Sequence, residues 1–89
     1  MLLQQIEVIN KLGLHARASS KLVQLANGFK ADIFIEKNGR KANAKSIMSL
    51  MMLAAAKGTM LNLTCNGVDE ELAQAAIISL FSSRFGENE

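Results

Sequence analysis

The chain has no tryptophan, no tyrosine and a single cysteine among its 89 residues. Four phenylalanines are its aromatic side chains, beside one histidine. The platforms on which nucleic-acid bases usually stack are therefore largely missing, which argues against a nucleic-acid partner. Cys65 has no second cysteine for an internal disulfide, and one cysteine with one histidine is too few for a structural zinc site. No basic segment leads into an apolar run at the start, as a secretory signal would require. The longest apolar segment, IMSLMMLAAA, is far shorter than the roughly 20 residues that span a bilayer. Together these absences predict a cytoplasmic, reducing setting, no membrane insertion, and no metal or cofactor.

The residues that are present describe a small globular domain. Apolar residues make up 49% of the chain, with no low-complexity tract. A length of 89 residues suits one domain, residues 1–89, with one core. Net charge is only +2 but unevenly placed. Residues 8–31 carry Lys11, Arg17, Lys21 and Lys30 with no acid, and residues 37–57 carry Lys37, Arg40, Lys41, Lys45 and Lys57, again with none. From residue 66 the sign reverses, with Asp69, Glu70, Glu71, Glu87 and Glu89 against Arg84. Two readings stand side by side: ordinary surface charge, or a basic region that attracts an anionic group or acidic partner.

Periodicity orders the chain as strand, helix, strand, strand, helix, strand, helix. QQIEVIN alternates, with Ile6 and Val8 sharing a face. From Ala16 to Asn27 the period becomes helical, and Asn27-Gly28 offers a stop through a left-handed glycine. ADIFIEK is a β-branched strand, and Asn38-Gly39 is a hairpin signal of type I′ leading to RKANA, a basic strand suited to a sheet edge. KSIMSLMMLAAAKG reads as a helix from an N-cap at Ser46 to Lys57-Gly58. Leu50 and Leu53 are expected inward, with Ile47, Met48 and Met51 at least partly exposed. MLNLTC alternates, with Cys65 on the apolar face as a small core residue. Asp69 is the expected cap of a last helix from about Glu70 to Arg84, with Leu72, Ala73, Ala76, Ile77, Leu80 and Phe81 inward. Half-polar strands of this kind suit an antiparallel sheet covered on one face. The expected fold is α/β (α+β): a two-layer open-faced sandwich of one four-stranded antiparallel sheet and three helices, ordered βαββαβα.

The stretch NKLGLHARASS places the histidine, His15, where the first helix begins. The first backbone N–H groups of a helix have no internal partners, and with the macrodipole they form a site for phosphate. Arg17 adds a planar guanidinium that can grip phosphate oxygens. An imidazole there can attack a phosphoryl donor and hold the group on nitrogen. The same position also suits a capping histidine with no chemistry, and local physics leaves both readings open.

GLHARA followed about thirty residues later by KSIMSLMMLAAAKGT closely resembles the HPr family, the histidine-containing phosphocarrier proteins of the bacterial phosphotransferase system. The resemblance extends over essentially the whole chain. It implies a stoichiometric phosphoryl carrier rather than an enzyme, and a monomer. It implies that His15 accepts a phosphoryl group on Nδ1 from Enzyme I and passes it to IIA-type proteins, with Arg17 stabilising it. It implies that Ser46 is a regulatory serine, phosphorylated where an HPr kinase/phosphorylase is present. The implied docking surface is Ile47, Met48 and Met51, with Ser20 and Gln24 on the first helix. A second implied reading is a regulatory or nitrogen-branch module that acts through the phosphorylation state of Ser46 or His15 without sugar transport. The chain departs from many family members at Ala18, where they carry proline.

Overall fold

The computed structural model describes residues 1–89. Its elements are β1 (Leu2–Glu7), α1 (Ala16–Ala26), β2 (Asp32–Lys37), β3 (Arg40–Asn43), α2 (Ile47–Met52), β4 (Met60–Asn66) and α3 (Glu70–Ser82), followed by a 3-10 turn at Arg84–Gly86. The four strands form one antiparallel sheet in the order β1-β4-β2-β3. The basic strand β3 thus lies at an edge, where its lysine and arginine discourage further strand pairing. Asn38 and Gly39 both take positive φ, as a two-residue type I′ hairpin requires.

Strand alternation places Ile6, Ile33, Ile35, Leu61, Leu63 and Cys65 on the inner face. Against them pack Ala18, Leu22 and Ala26 from α1, Leu50 from α2 and Ala73, Ile77 and Phe81 from α3. The helices cover this face and leave the other to solvent, which gives the open-faced sandwich. Burying this set of side chains, at about 25 cal/mol per Å² of apolar surface, is the main force holding the two layers together.

Several features differ from the sequence reading, and at β1, α2 and Asp69 the reason is tertiary. β1 begins at Leu2, because Leu2 pairs with Cys65, and stops at Glu7, although Val8 remains buried. α1 does not end through a left-handed glycine: Asn27 is helical in φ and ψ, and Gly28 and Phe29 donate to Leu25 and Ala26 in a tightened last turn. α2 ends at Met52 rather than Lys57-Gly58. Its end is held from outside the helix: Lys37 Nζ donates to the Leu53 and Ala54 carbonyls, and Arg40 Nη1 to that of Met52. The Ala55 carbonyl is in turn taken by the Leu14 N–H. Tertiary partners for these carbonyls override the helix propensity of Ala54–Ala56. In α3, Leu72 is 69% exposed and does not face inward. Asp69 occupies the cap position of α3, but its carboxylate does not bond to that helix. It accepts instead from the N–H groups of Lys30 and Ala31, at 2.8 and 2.9 Å, and so ties the α1–β2 connection to the start of α3.

Candidate functional site

The segment Asn10–Leu14 is a tight turn that presents His15. Gly13 has φ +67 and lies against the backbone of Ala55, so closely that a Cβ would sit 2.3 Å from the Ala55 carbonyl oxygen. Only glycine fits that backbone and that approach. The turn is pinned on both sides: Leu14 N–H donates to Ala55 O at 2.9 Å, and Ser19 Oγ donates to Leu14 O at 3.1 Å. Leu14 itself is buried.

His15 is the N-cap of α1, with extended backbone and no side-chain capping bond. The first helical hydrogen bond is Ser19 N–H to His15 O. The N–H groups of Ala16, Arg17 and Ala18 therefore have no partner within the helix. Ala18 is buried and keeps an N–H that a proline would lack. The first turn contains no acid. Arg17 is exposed and belongs to none of the chain's ion pairs.

The imidazole lies in an open groove lined also by Lys11, Leu12, Arg17 and Lys21, and closed on one side by residues 86–89. Both ring nitrogens face acceptors. Nδ1 is 3.0 Å from the Gly13 carbonyl oxygen, and Nε2 is 3.1 Å from Glu87 Oε2. The fully buried Asn10 joins the same two acceptors, its Nδ2 donating to Gly13 O at 2.9 Å and to Glu87 Oε1 at 3.0 Å. The segment that brings Glu87 here is held by Lys21 Nζ donating to Phe85 O and by Lys11, whose N–H donates to Glu89 O and whose Nζ pairs with Glu89 Oε2. Asn10 and Glu87 were not among the residues expected at this site. The acidity of residues 87–89 is visible in the sequence, but as general surface charge.

Ser46 caps α2, accepting from the Ser49 N–H at 3.3 Å. On that helix Ile47, Met48 and Met51 are 37%, 68% and 43% exposed, while Leu50 is fully buried and Leu53 nearly so. The split between inward leucines and outward Ile and Met follows the expectation. Met52 adds to the exposed set. Helices α1 and α2 pack against each other. Ser20 is partly exposed and Gln24 exposed on α1.

A family model described as the phosphotransferase-system HPr component phosphorylation site matches residues 3–83. The chain belongs to the HPr family of phosphocarrier proteins. The phosphocarrier protein HPr of Neisseria meningitidis is 55% identical over 89 residues, all of both chains, and that of Cupriavidus necator is 51% identical over the same span. The phosphocarrier protein NPr of Escherichia coli K12 is 43% identical over 86 residues, covering 96% of each chain. Among solved structures, HPr of Thermoanaerobacter tengcongensis superposes with a TM-score of 0.96 at 44% identity over the whole of both chains. The Bacillus subtilis catabolite-repression protein Crh, seen as a swapped dimer, gives 0.72 at 43% identity, covering 100% of this chain and 99% of that one. The expected family and the open-faced βαββαβα architecture therefore hold. No helix is long and apolar enough to cross a membrane.

Proposed function

We propose that His15 is the phosphoryl acceptor of this HPr-family chain. It takes the group on Nδ1 from a phosphohistidine of Enzyme I and delivers it to a histidine of IIA-type phosphotransferase proteins. The observation that carries the reading is the start of α1: a histidine at the cap position, three N–H groups without helical partners, no acid in the first turn, and an unpaired Arg17 beside it. The N–P bond of the donor breaks and its electron pair returns to the donor nitrogen, while the Nδ1 lone pair forms the new P–N bond. The helix N–H groups and the Arg17 guanidinium meet the charge on the phosphoryl oxygens. Each molecule is a stoichiometric intermediate, so the rate rests on bringing two histidines together on complementary surfaces.

In this reading the exposed Ile47, Met48 and Met51, with Ser20 and Gln24 on α1, form the docking surface. Flexible thioethers let one surface fit several partners in turn. Ser46 is the regulatory position. A phosphate there places nearly two negative charges beside the apolar patch, weakening docking onto an acidic partner with little effect on the fold. A second reading is a regulatory module little used in sugar transport. Its support is the similarity to NPr and Crh at 43% identity.

The test is incubation with Enzyme I and phosphoenolpyruvate. The expected product is an acid-labile, base-stable phosphoryl adduct that is absent from the His15→Ala variant and is discharged by a sugar-specific IIA protein. An adduct that persists in His15→Ala removes the first reading. An adduct on His15 that no sugar-specific IIA protein discharges supports the second. For Ser46, ATP with HPr kinase/phosphorylase gives an acid-stable adduct, lost in Ser46→Ala.

A further inference from the structure

We propose that Glu87 is a positioning residue that selects Nδ1 as the nucleophilic nitrogen of His15, an inference that rests on the phosphoryl-acceptor reading above. A neutral imidazole carries one N–H, and here two acceptors compete for it. One is the Gly13 carbonyl, 3.0 Å from Nδ1, which already accepts from Asn10. The other is Glu87 Oε2, 3.1 Å from Nε2. That oxygen is buried and satisfied by no hydrogen bond, and Nε2 is the ring donor within reach of it. Hydrogen bonds to an ionised group are roughly twice as strong as neutral ones. Leaving a buried charged acceptor unpaired also costs more than leaving a neutral one with a bond to spare. Both terms put the proton on Nε2 and leave the lone pair on Nδ1.

The consequence for transfer is direct. With its one N–H on Nε2, the ring has no bond to offer Gly13, and Nδ1 keeps its lone pair for attack. No proton has to leave Nδ1 when the P–N bond forms there. The positive charge that the ring gains spreads to Nε2–H, which faces the Glu87 carboxylate. Glu87 is held for this task by Asn10 Nδ2 on its other oxygen and by the Lys21 and Lys11 contacts to residues 85 and 89. The two lysines that line the groove are thus engaged by this segment, while Arg17 remains free for the phosphoryl oxygens.

The test uses the unphosphorylated full chain with 15N-labelled histidine. Long-range 1H–15N spectra at a pH where the ring is neutral report which nitrogen carries the proton. The expected result is a dominant Nε2–H tautomer in the wild type. Glu87→Ala shifts the ratio toward Nδ1–H by about fivefold or more, and Glu87→Gln, which keeps an acceptor oxygen without its charge, by less. An unchanged tautomer ratio in both variants overturns the inference. In the transfer assay, Glu87→Ala slows phosphorylation by a similar factor and Glu87→Gln recovers part of it. Equal rates in all three proteins also overturn it. If the wild type forms no adduct on His15 at all, the phosphoryl-acceptor reading is what fails, and the tautomer measurement still decides the role of Glu87.

Discussion

The starts of α1 and α3 are built on opposite plans. Both are helix N-termini of some length, and each presents unpaired N–H groups with a partial positive charge. At α3 that charge is already answered: Glu70 and Glu71 lie in the first turn, and Glu70 also accepts from the Gly67 N–H at 3.1 Å. At α1 there is no acid in the first turn and no capping side-chain bond, and the nearest side chains are an imidazole and an unpaired guanidinium. The α3 start is completed within the chain. In the proposed function the α1 start is left for an anion from outside, at some cost in helix stability. Glu87 approaches the same pole but binds the ring nitrogen rather than the helix N–H groups. Under the proposed function, the difference separates a helix end used for stability from one reserved for chemistry.

The change that should damage the α1 start most is Gly13→Ala. The new methyl group would meet the Ala55 carbonyl at 2.3 Å in a backbone of positive φ, with rigid main chain on both sides. Denaturant unfolding is expected to show a loss of about 3 kcal/mol or more. The variant should also fail to accept a phosphoryl group under conditions where it remains folded, because Gly13 O anchors Asn10, which in turn holds Glu87 against the ring. A variant of unchanged stability would mean that the turn is far softer than its contacts imply.

This contrast also explains what could be read from the sequence. His15 and Arg17 were legible because a cap and its second helical residue are neighbours in the chain, and their geometry follows from the helix itself. Asn38-Gly39 was legible for the same local reason. Asp69 was not: its position at the start of α3 is local, but its carboxylate is claimed by Lys30 and Ala31, nearly forty residues away. The end of α2 was missed because three carbonyls there are held by Lys37 and Arg40 of the hairpin. Glu87 lay beyond any local pattern, since its partner Asn10 is 77 residues earlier. Sequence periodicity reports which face a residue takes. It does not report which distant donor reaches a given carboxylate.

Arg17→Ala tests whether the open helix start depends on its guanidinium. Arg17 is exposed and in no ion pair, so stability should stay within about 0.5 kcal/mol of the parent. The rate of phosphoryl transfer from Enzyme I should fall about 100-fold, the usual effect of removing one preorganised donor from developing charge. A rate within twofold of wild type would place the stabilisation in the helix N–H groups alone. Ala16→Glu then gives α1 the kind of acid that α3 already has. Ala16 is exposed at the first helical position, so the carboxylate should stabilise the fold by about 0.3–1 kcal/mol. The same charge occupies the anion site and should slow transfer about tenfold. Greater stability with poorer transfer, in one variant, would be direct evidence that the two helix starts trade one property for the other.

The smallest expected effect is at α3, where Asp69→Asn removes a charge and leaves the shape. In the fold the Asp69 carboxyl is held below the ordinary carboxylate value, first by the Lys30 N–H, then with help from the Ala31 N–H and the Lys45 charge, against a partial opposing effect of desolvation. A carboxyl whose value is lowered by folding adds stability that is fully present above its unfolded value and is lost as pH falls through the folded one. The wild type should therefore melt a few degrees above Asp69→Asn near neutral pH. The two melting curves should converge as the solution is acidified below about pH 4, the ordinary range of an aspartate. Thermal unfolding followed by circular dichroism from pH 7 to pH 2 measures this. Phosphoryl acceptance at neutral pH should be the same in both proteins, because Asp69 ties the α1–β2 connection to the start of α3, which in the proposed function takes no part in the transfer. A transfer defect in Asp69→Asn at full stability would break the separation between the two poles.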